Sequence, residues 1–406
     1  MFIPKVNSVT GQYIVLAWND LGMHCYNPDF SAIAVLPPYN TLCAQVVRLG
    51  GEHPTLVTTG ITVSYSFPNN TYSAGKPGYQ NKTNFWNYAQ MLFGAKLPVN
   101  VGLKGKGLSG TMDLATDRFV AEGIPLTEYT DQMAQNPDPS KWVRDPFQVA
   151  IVEVRDSATG ALLASTPVVA PVSSEMDCYT CHGDTGDATT RYPITPTGNV
   201  NTNILALHDY LNQQTFATMG FTPLMSSQPV LCGTCHSDNA LSMAGKAGVK
   251  SLSNAMHGHH ASANIPSITP DTQGCYSCHP GPNTQCLRDA MSVKQGFTCQ
   301  TCHGTLANVA TNPNPWLNEP RCDSPSCHGS VVAQQTAGLY RFSVGLGGIY
   351  CEACHDSTHA IAPSRESIDD MKFMILQGDP GMLKKCSACH TRAMDDTFPH
   401  LFGRGD

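Results

Sequence analysis

Positive charge is scarce in this chain: 24 Lys and Arg stand against 31 Asp and Glu in 406 residues, and the formal charge is -7. A polyanion needs clustered cations to neutralise its phosphates, so the shortage argues against a nucleic-acid partner. Long apolar runs are also missing. No stretch approaches the about 20 residues that span a bilayer, so no transmembrane segment is expected. The opening MFIPKVNSVTGQ lacks the apolar core of an export signal, and the chain is expected to be soluble, and a mature product if exported. Gly 35 and Pro 29 exceed the usual share without reaching the level of disorder, which predicts a folded, turn-rich protein. Cysteine and histidine, by contrast, are abundant, at 17 and 15.

The spacing of those residues decides their chemistry. Six copies of Cys-x-x-Cys-His occur: Cys178, Cys181, His182; Cys232, Cys235, His236; Cys275, Cys278, His279; Cys299, Cys302, His303; Cys351, Cys354, His355; and Cys386, Cys389, His390. This is the attachment signal for c-type haem: two thiols add to the two vinyl groups, and the adjoining His reaches the iron as proximal ligand. A further site, Cys322, Cys327, His328, the fifth of seven in chain order, has a four-residue spacer, Asp-Ser-Pro-Ser, that could loop out. It continues the series, 25 residues after His303 and 27 before His355, and seven haems are expected. Structural zinc would need paired Cys-x-x-Cys units with no reason for His always to follow, and thioredoxin-like chemistry would need one such unit before a helix.

All fourteen motif cysteines lie after residue 177, which places a boundary near Pro171 to Asp177. Residues 1 to 172 carry short alternating or β-branched runs, YIVLAW, SAIAVL, CAQVVRL, TLVTTGITVSYSF, and FQVAIVEV and ALLASTPVV around the turn RDSATG. With one helix, NFWNYAQMLFG, they predict an all-β, sandwich-like domain of about seven strands. Residues 173 to 406 hold seven motifs in 234 residues, so a mainly coil and α multihaem domain is expected, with the haems as its core. Helices are expected over 203–214, 251–260, 283–293 and 364–378, the last capped at Ser364 and closed by Gly378.

Setting aside the seven motif histidines leaves eight: His24, His53, His208, His257, His259, His260, His359 and His400. Seven bis-His haems need seven distal ligands. His359 lies four residues beyond His355, a spacing that would put both on one helix face and let them serve adjacent haems. In MHGHH, His257 and His260 share a side and His259 points away. The haem part owns only six of the eight, so complete bis-His ligation requires His24 or His53, and His24, within NDLGMHC, is preferred. Any Met is expected in packing before ligation. Cys25, Cys43 and Cys286 remain, and a Cys25–Cys43 disulfide is expected in an oxidising compartment.

At residues 178 to 390 the chain resembles multihaem c-type cytochromes of metal-reducing and other anaerobic prokaryotes, including the extracellular cytochromes that polymerise into filaments, the cytochrome nanowires. AWNDLGMHC with LPPYNTL looks like a β-domain attached to such proteins. The resemblance implies bis-His haems in alternating parallel-stacked and T-shaped contact, with a distal His in some filaments supplied by the adjacent subunit, a role for which His24 or His53 is the candidate. Covalent haem implies maturation outside the cytoplasmic membrane, hence an extracellular or cell-surface place, with the periplasm as alternative. The expected function is an electron conduit, not an enzyme, working as a head-to-tail homopolymer that passes electrons to other cytochromes or extracellular acceptors. Two alternatives stay open: a discrete carrier in a complex, and a reductase of nitrite, hydroxylamine or sulfur oxyanions. A reductase needs an open haem, often marked by Cys-x-x-Cys-Lys, and no such motif occurs.

Overall fold

The alternating runs of the first part become two antiparallel layers. The computed structural model describes residues 11–50, 53–75, 82–133, 142–262, 272–281, 283–315, 317–329 and 334–392. Fourteen strands are described: β1 Tyr13–Asn19, β2 His24–Cys25, β3 Ile33–Ala34, β4 Asn40–Arg48, β5 Thr55–Leu56, β6 Ile61–Ser66, β7 Ser109–Thr111, β8 Asp113–Ala115, β9 Arg118–Ile124, β10 Tyr129–Met133, β11 Trp142–Arg144, β12 Phe147–Asp156, β13 Leu162–Ser173 and β14 Val230–Leu231. One sheet runs β1-β4-β9-β8 with β5 on β4, and the other runs β2-β13-β12-β6-β7. Between them lies an apolar core that includes Val15, Leu42, Val63, Phe119, Val152 and Val168. The sandwich thus holds more strands than the sequence suggests. The additions are short or polar segments, such as β7 and β8, whose side chains are exposed and carry no apolar period.

β1 is buried on both faces, which an ordinary sandwich strand is not. Val15 and Ala17 enter the core between the sheets, while Ile14, Leu16 and Trp18 point outward with Cys43 and Val47. That outer face is covered by Ala353, Ile349, Tyr350, Leu376, Leu383 and Cys389, all from the region of the last two motifs. The second part also lends β14, which pairs in parallel with β3 through Val230↔Ile33. Gly22 marks how closely the two parts approach: its φ is +72°, and a Cβ there would stand 1.9 Å from the Thr358 carbonyl oxygen.

Beyond Ser173 regular structure is sparse. Helices occupy Val200–Leu211, capped by the Asn199 side chain, and Leu252–Ser262. In place of a helix over 283–293, residues 283 and 284 donate their backbone N–H groups to Glu175, and the helix forms only at Ala290–Gln295, capped by Asp289. The helix expected over 364–378 is likewise shortened to Met371–Gln377, and Ser364 Oγ donates to Asp369 while accepting the Glu366 N–H in a turn ahead of it. The helix Phe85–Phe93 ends at Gly94 in the left-handed region. Among the described residues no helix is long and apolar enough to cross a membrane.

Candidate haem-binding site

Each motif folds into a single turn that aims its histidine. The backbone N–H of the His donates to the carbonyl of the first Cys in four of them: His182 to Cys178 at 2.8 Å, His236 to Cys232 at 3.0 Å, His279 to Cys275 at 2.9 Å and His390 to Cys386 at 2.9 Å. Cys299–His303 and Cys351–His355 are complete helical turns. The irregular motif closes in the same way, since the His328 N–H donates to Cys322 at 3.2 Å across the longer spacer. Cys327 N–H folds back onto Ser324 at 2.8 Å, so the two extra residues bulge out while the ends keep their relation.

Among the described residues, four motif histidines lie opposite a histidine from outside the motifs. Ring centroids are 6.3 Å apart for His182 and His260, 6.3 Å for His236 and His208, 6.1 Å for His279 and His257, and 6.2 Å for His303 and His359. Two imidazoles on opposite sides of one metal, each with a metal–nitrogen distance of about 2 Å, place their centroids roughly 6 Å apart. The spacing is that of rings held open for an atom between them. The donor set also fits: His236, His257 and His260 each set Nδ1 at 2.7–2.8 Å from a backbone carbonyl, of Lys250, Ser253 and Met256. A carbonyl only accepts, so Nδ1 carries the proton and Nε2 keeps its lone pair. Burial lowers His182, His279 and His359 to about 4, with neighbouring imidazoles adding to the effect, which keeps these rings neutral and fit to ligate. Among the described residues no group of three or more His, Cys, Asp or Glu is clustered so as to hold a metal ion by itself.

The partner of the fourth motif differs from the expected arrangement. Asp356, at φ +72°, ends the turn after His355, so His359 does not continue that helix. It sits instead in the following turn at φ +68° and faces His303. A non-glycine residue held there by its surroundings is strained backbone at a site of action. His24 is also placed differently from a free ligand. It is buried, and Nε2, the nitrogen that three paired rings leave available, is 2.8 Å from the Asp20 carboxylate. His53 is exposed and adjoins the seventh motif: Gly50 bridges His390, Thr391 N–H donates to Gly50 at 2.8 Å, and a Cβ on Gly50 would stand 2.6 Å from the His53 carbonyl oxygen. His259 is exposed and edge-on to His260 at 5.6 Å. His328 is exposed, and among the described residues no imidazole faces it. His400 lies outside the described residues.

Thiols of different motifs also lie near one another. Burial raises Cys278 to about 11, with Cys178 and Cys181 adding, and a hydrogen bond with Cys275 raises Cys299. Burial is again the main cause of the raised pKa at Cys302, Cys322, Cys351 and Cys354, to which the nearby thiols of Cys327, Cys302, Cys322 and Cys389 respectively add. His259 stands near both His208 and His182. These neighbours thread the motifs in the spatial order second, first, third, fourth, fifth, sixth, seventh.

Residues 231–304 match the family model of cytochrome c554 and c-prime. The match spans the second, third and fourth motifs, and a c-type cytochrome carries covalently bound haem c and transfers electrons. No curated protein and no solved structure gives a significant match to the chain.

One residue of the site is absent from the sequence reading. Glu352, in the spacer of the sixth motif, is fully buried and accepts from Trp18 Nε1 at 2.7 Å. Burial raises its carboxyl well above the usual range, with the Asp20 charge adding. Lys372 stands beside it, at 3.1 Å from the Ala17 carbonyl and 3.2 Å from Asp356. The available signal was a carboxylate in a two-residue spacer, which no other Cys-x-x-Cys-His copy has.

Proposed function

We propose that the chain is a seven-haem electron conduit with predominantly bis-His centres, working outside the cytoplasmic membrane in a polymerised filament. Haem iron supplies one-electron exchange when bound. The observation that carries the reading is the set of four opposed imidazole pairs at 6.1–6.3 Å, each joining a motif histidine to one from elsewhere in the chain. Each pair of neutral rings would hold a haem iron between them, which would leave no position for substrate and favours electron transfer over bond-making chemistry. The spatial sequence of motifs supports a continuous path, with the second motif at one end and the seventh, beside the surface turn at His53, at the other. His53 is the proposed ligand opposite His390. His24 is assigned to holding Asp20.

Extracellular acceptors and other cytochromes are the proposed partners, and a head-to-tail contact that fails to close would generate the filament. A reductase reading is favoured by one observation, the exposed His328 with no facing imidazole among the described residues, since an open iron could take substrate there.

The test is spin state in the holoprotein, read by electron paramagnetic resonance and visible absorption. His359→Ala should convert one low-spin ferric centre to high spin, His53→Ala another, and His24→Ala none. Spectra unchanged by His359→Ala would overturn the bis-His reading, and a high-spin centre in the unaltered protein that turns over nitrite or hydroxylamine would favour the reductase. Electron microscopy of native material tests the polymer, and single particles alone would remove it.

A further inference from the structure

Three cysteines stand outside the haem motifs: Cys25, Cys43 and Cys286. Cys43 is directed to the outer face of its sheet, opposite Trp18 in register and inside the apolar cluster beneath Ala353. Cys25 ends β2, beside Ser173 of β13. From there the structure leads away from Cys43 and towards Cys286. Ser173 Oγ is 3.0 Å from Thr284 Oγ1, two residues before Cys286. The Glu175 carboxylate accepts the Asn283 and Thr284 backbone N–H groups at 3.0 and 2.7 Å, which pins that segment against the end of β13. On the other side, Arg288 Nη1 donates both to the Gly22 carbonyl at 2.8 Å and to the Cys286 carbonyl at 3.2 Å. One nitrogen thus clamps together the two chain segments that carry the thiols.

We propose that the mature protein contains a Cys25–Cys286 disulfide that fastens the sheet part to the haem part, and that Cys43 is its free thiol. Burial of the Cys25 thiol, with Cys286 beside it, pushes its pKa up to about 12, and burial pushes Cys286 up to about 11, so neither is a reactive surface thiolate. Oxidation proceeds by thiol–disulfide exchange with a disulfide-bearing thiol oxidase of the compartment outside the cytoplasmic membrane. The Sγ–Sγ bond forms as the two thiols lose two protons and two electrons, and the oxidant's own disulfide takes both and leaves as a dithiol. Cys275 and Cys299 are the other thiols near Cys286. Resting here on the haem reading, both are consumed as thioethers, which leaves Cys25 as the partner.

The experiment uses the full-length holoprotein, denatured without reductant, alkylated, digested and analysed by mass spectrometry. A cross-linked peptide pair containing Cys25 and Cys286 is expected, with Cys43 as the single alkylated thiol. Cys25→Ser should raise the number of alkylated thiols from one to two by releasing Cys286, and this readout survives any loss of stability in the variant. Alkylation of both Cys25 and Cys286 in the unaltered protein, or a Cys25–Cys43 pair, would overturn the proposal while the haem-bearing peptides remained intact. A pair of Cys286 with Cys275 or Cys299 would overturn it together with haem attachment at the third or fourth motif, so the two failures are distinguishable.

Discussion

At the scale of the residue, the question is which atoms the fold leaves to a bound group. His236, His257 and His260 give Nδ1 to carbonyls, whereas His24 gives Nε2 to Asp20, and this difference is proposed to separate ligands from a ring that holds a neighbour. Residue type alone cannot distinguish them, because the acceptor of each nitrogen is set by chain packing. Buried carboxyls are decided in the same way. Asp370 is buried with Oδ1 unpartnered among the described residues, and burial raises its pKa to about 6, with Asp369 and Asp356 adding to the effect and backbone donors opposing it. The folded carboxyl holds its proton more tightly than the unfolded one, whose ordinary value is 3.8. Its contribution to stability is therefore full below about pH 4 and lost as pH rises through about 6. Asp370→Asn stays neutral and should flatten that part of the profile. Chemical denaturation of the holoprotein between pH 4 and 7, compared between variant and parent, checks this.

At the scale of the element, the helix Leu252–Ser262 shows how little regular structure the site uses and how much depends on it. His257 and His260, three residues apart, lie on one side, yet they face different motifs, His279 of the third and His182 of the first. The helix is fixed by packing against the helix Leu306–Thr311, where Asn254 Nδ2 donates to the Ala310 carbonyl. Met256 is 47% exposed, so its side chain can change without disturbing a core, but its backbone sits mid-helix. Met256→Pro should cost about 3 kcal/mol of helix stability and convert two centres to high spin together. Met256→Ala should convert none. Spin counting by electron paramagnetic resonance separates the outcomes, and loss of a single centre would show that the two histidines do not act through one helix.

At the scale of the whole molecule, the sheet part and the motif-bearing part are joined by burial and by charged side chains, Arg288, Lys372 and Arg118 among them. Arg288, 1% exposed, pairs with Asp369 at 2.7 and 3.2 Å while it binds Gly22 and Cys286. Removing one partner of such a pair leaves the other charged and desolvated, at a cost of roughly 3–5 kcal/mol. Arg288→Ala should lower the unfolding free energy by that much, read as a lower denaturation midpoint, and expose the junction of the two parts to limited proteolysis, with the motif-bearing peptides unchanged. An unshifted midpoint would show that the apolar cover over Ile14, Leu16 and Trp18 suffices without the clamp.

Much of this architecture could be read before any coordinates. Covalent spacing is local, so the seven Cys–His motifs and the candidate set of spare histidines followed from the sequence, as did the longest strands and the helix ended by Gly94, whose periods and stop signals are short-range. The pairing of rings did not follow. Which histidine faces which motif depends on contacts between residues far apart in sequence, as between His303 and His359 or His182 and His260, and a left-handed backbone at Asp356 and His359 overrode the helical spacing that a linear reading favours. The same holds for Cys25, expected from the sequence to pair with Cys43 but brought by the parallel register of β2 with β13 towards Cys286. The sequence by itself determined the chemistry each residue can perform; only the tertiary structure decided the partners, because a ligand pair or a disulfide requires two distant segments held at one distance and one angle.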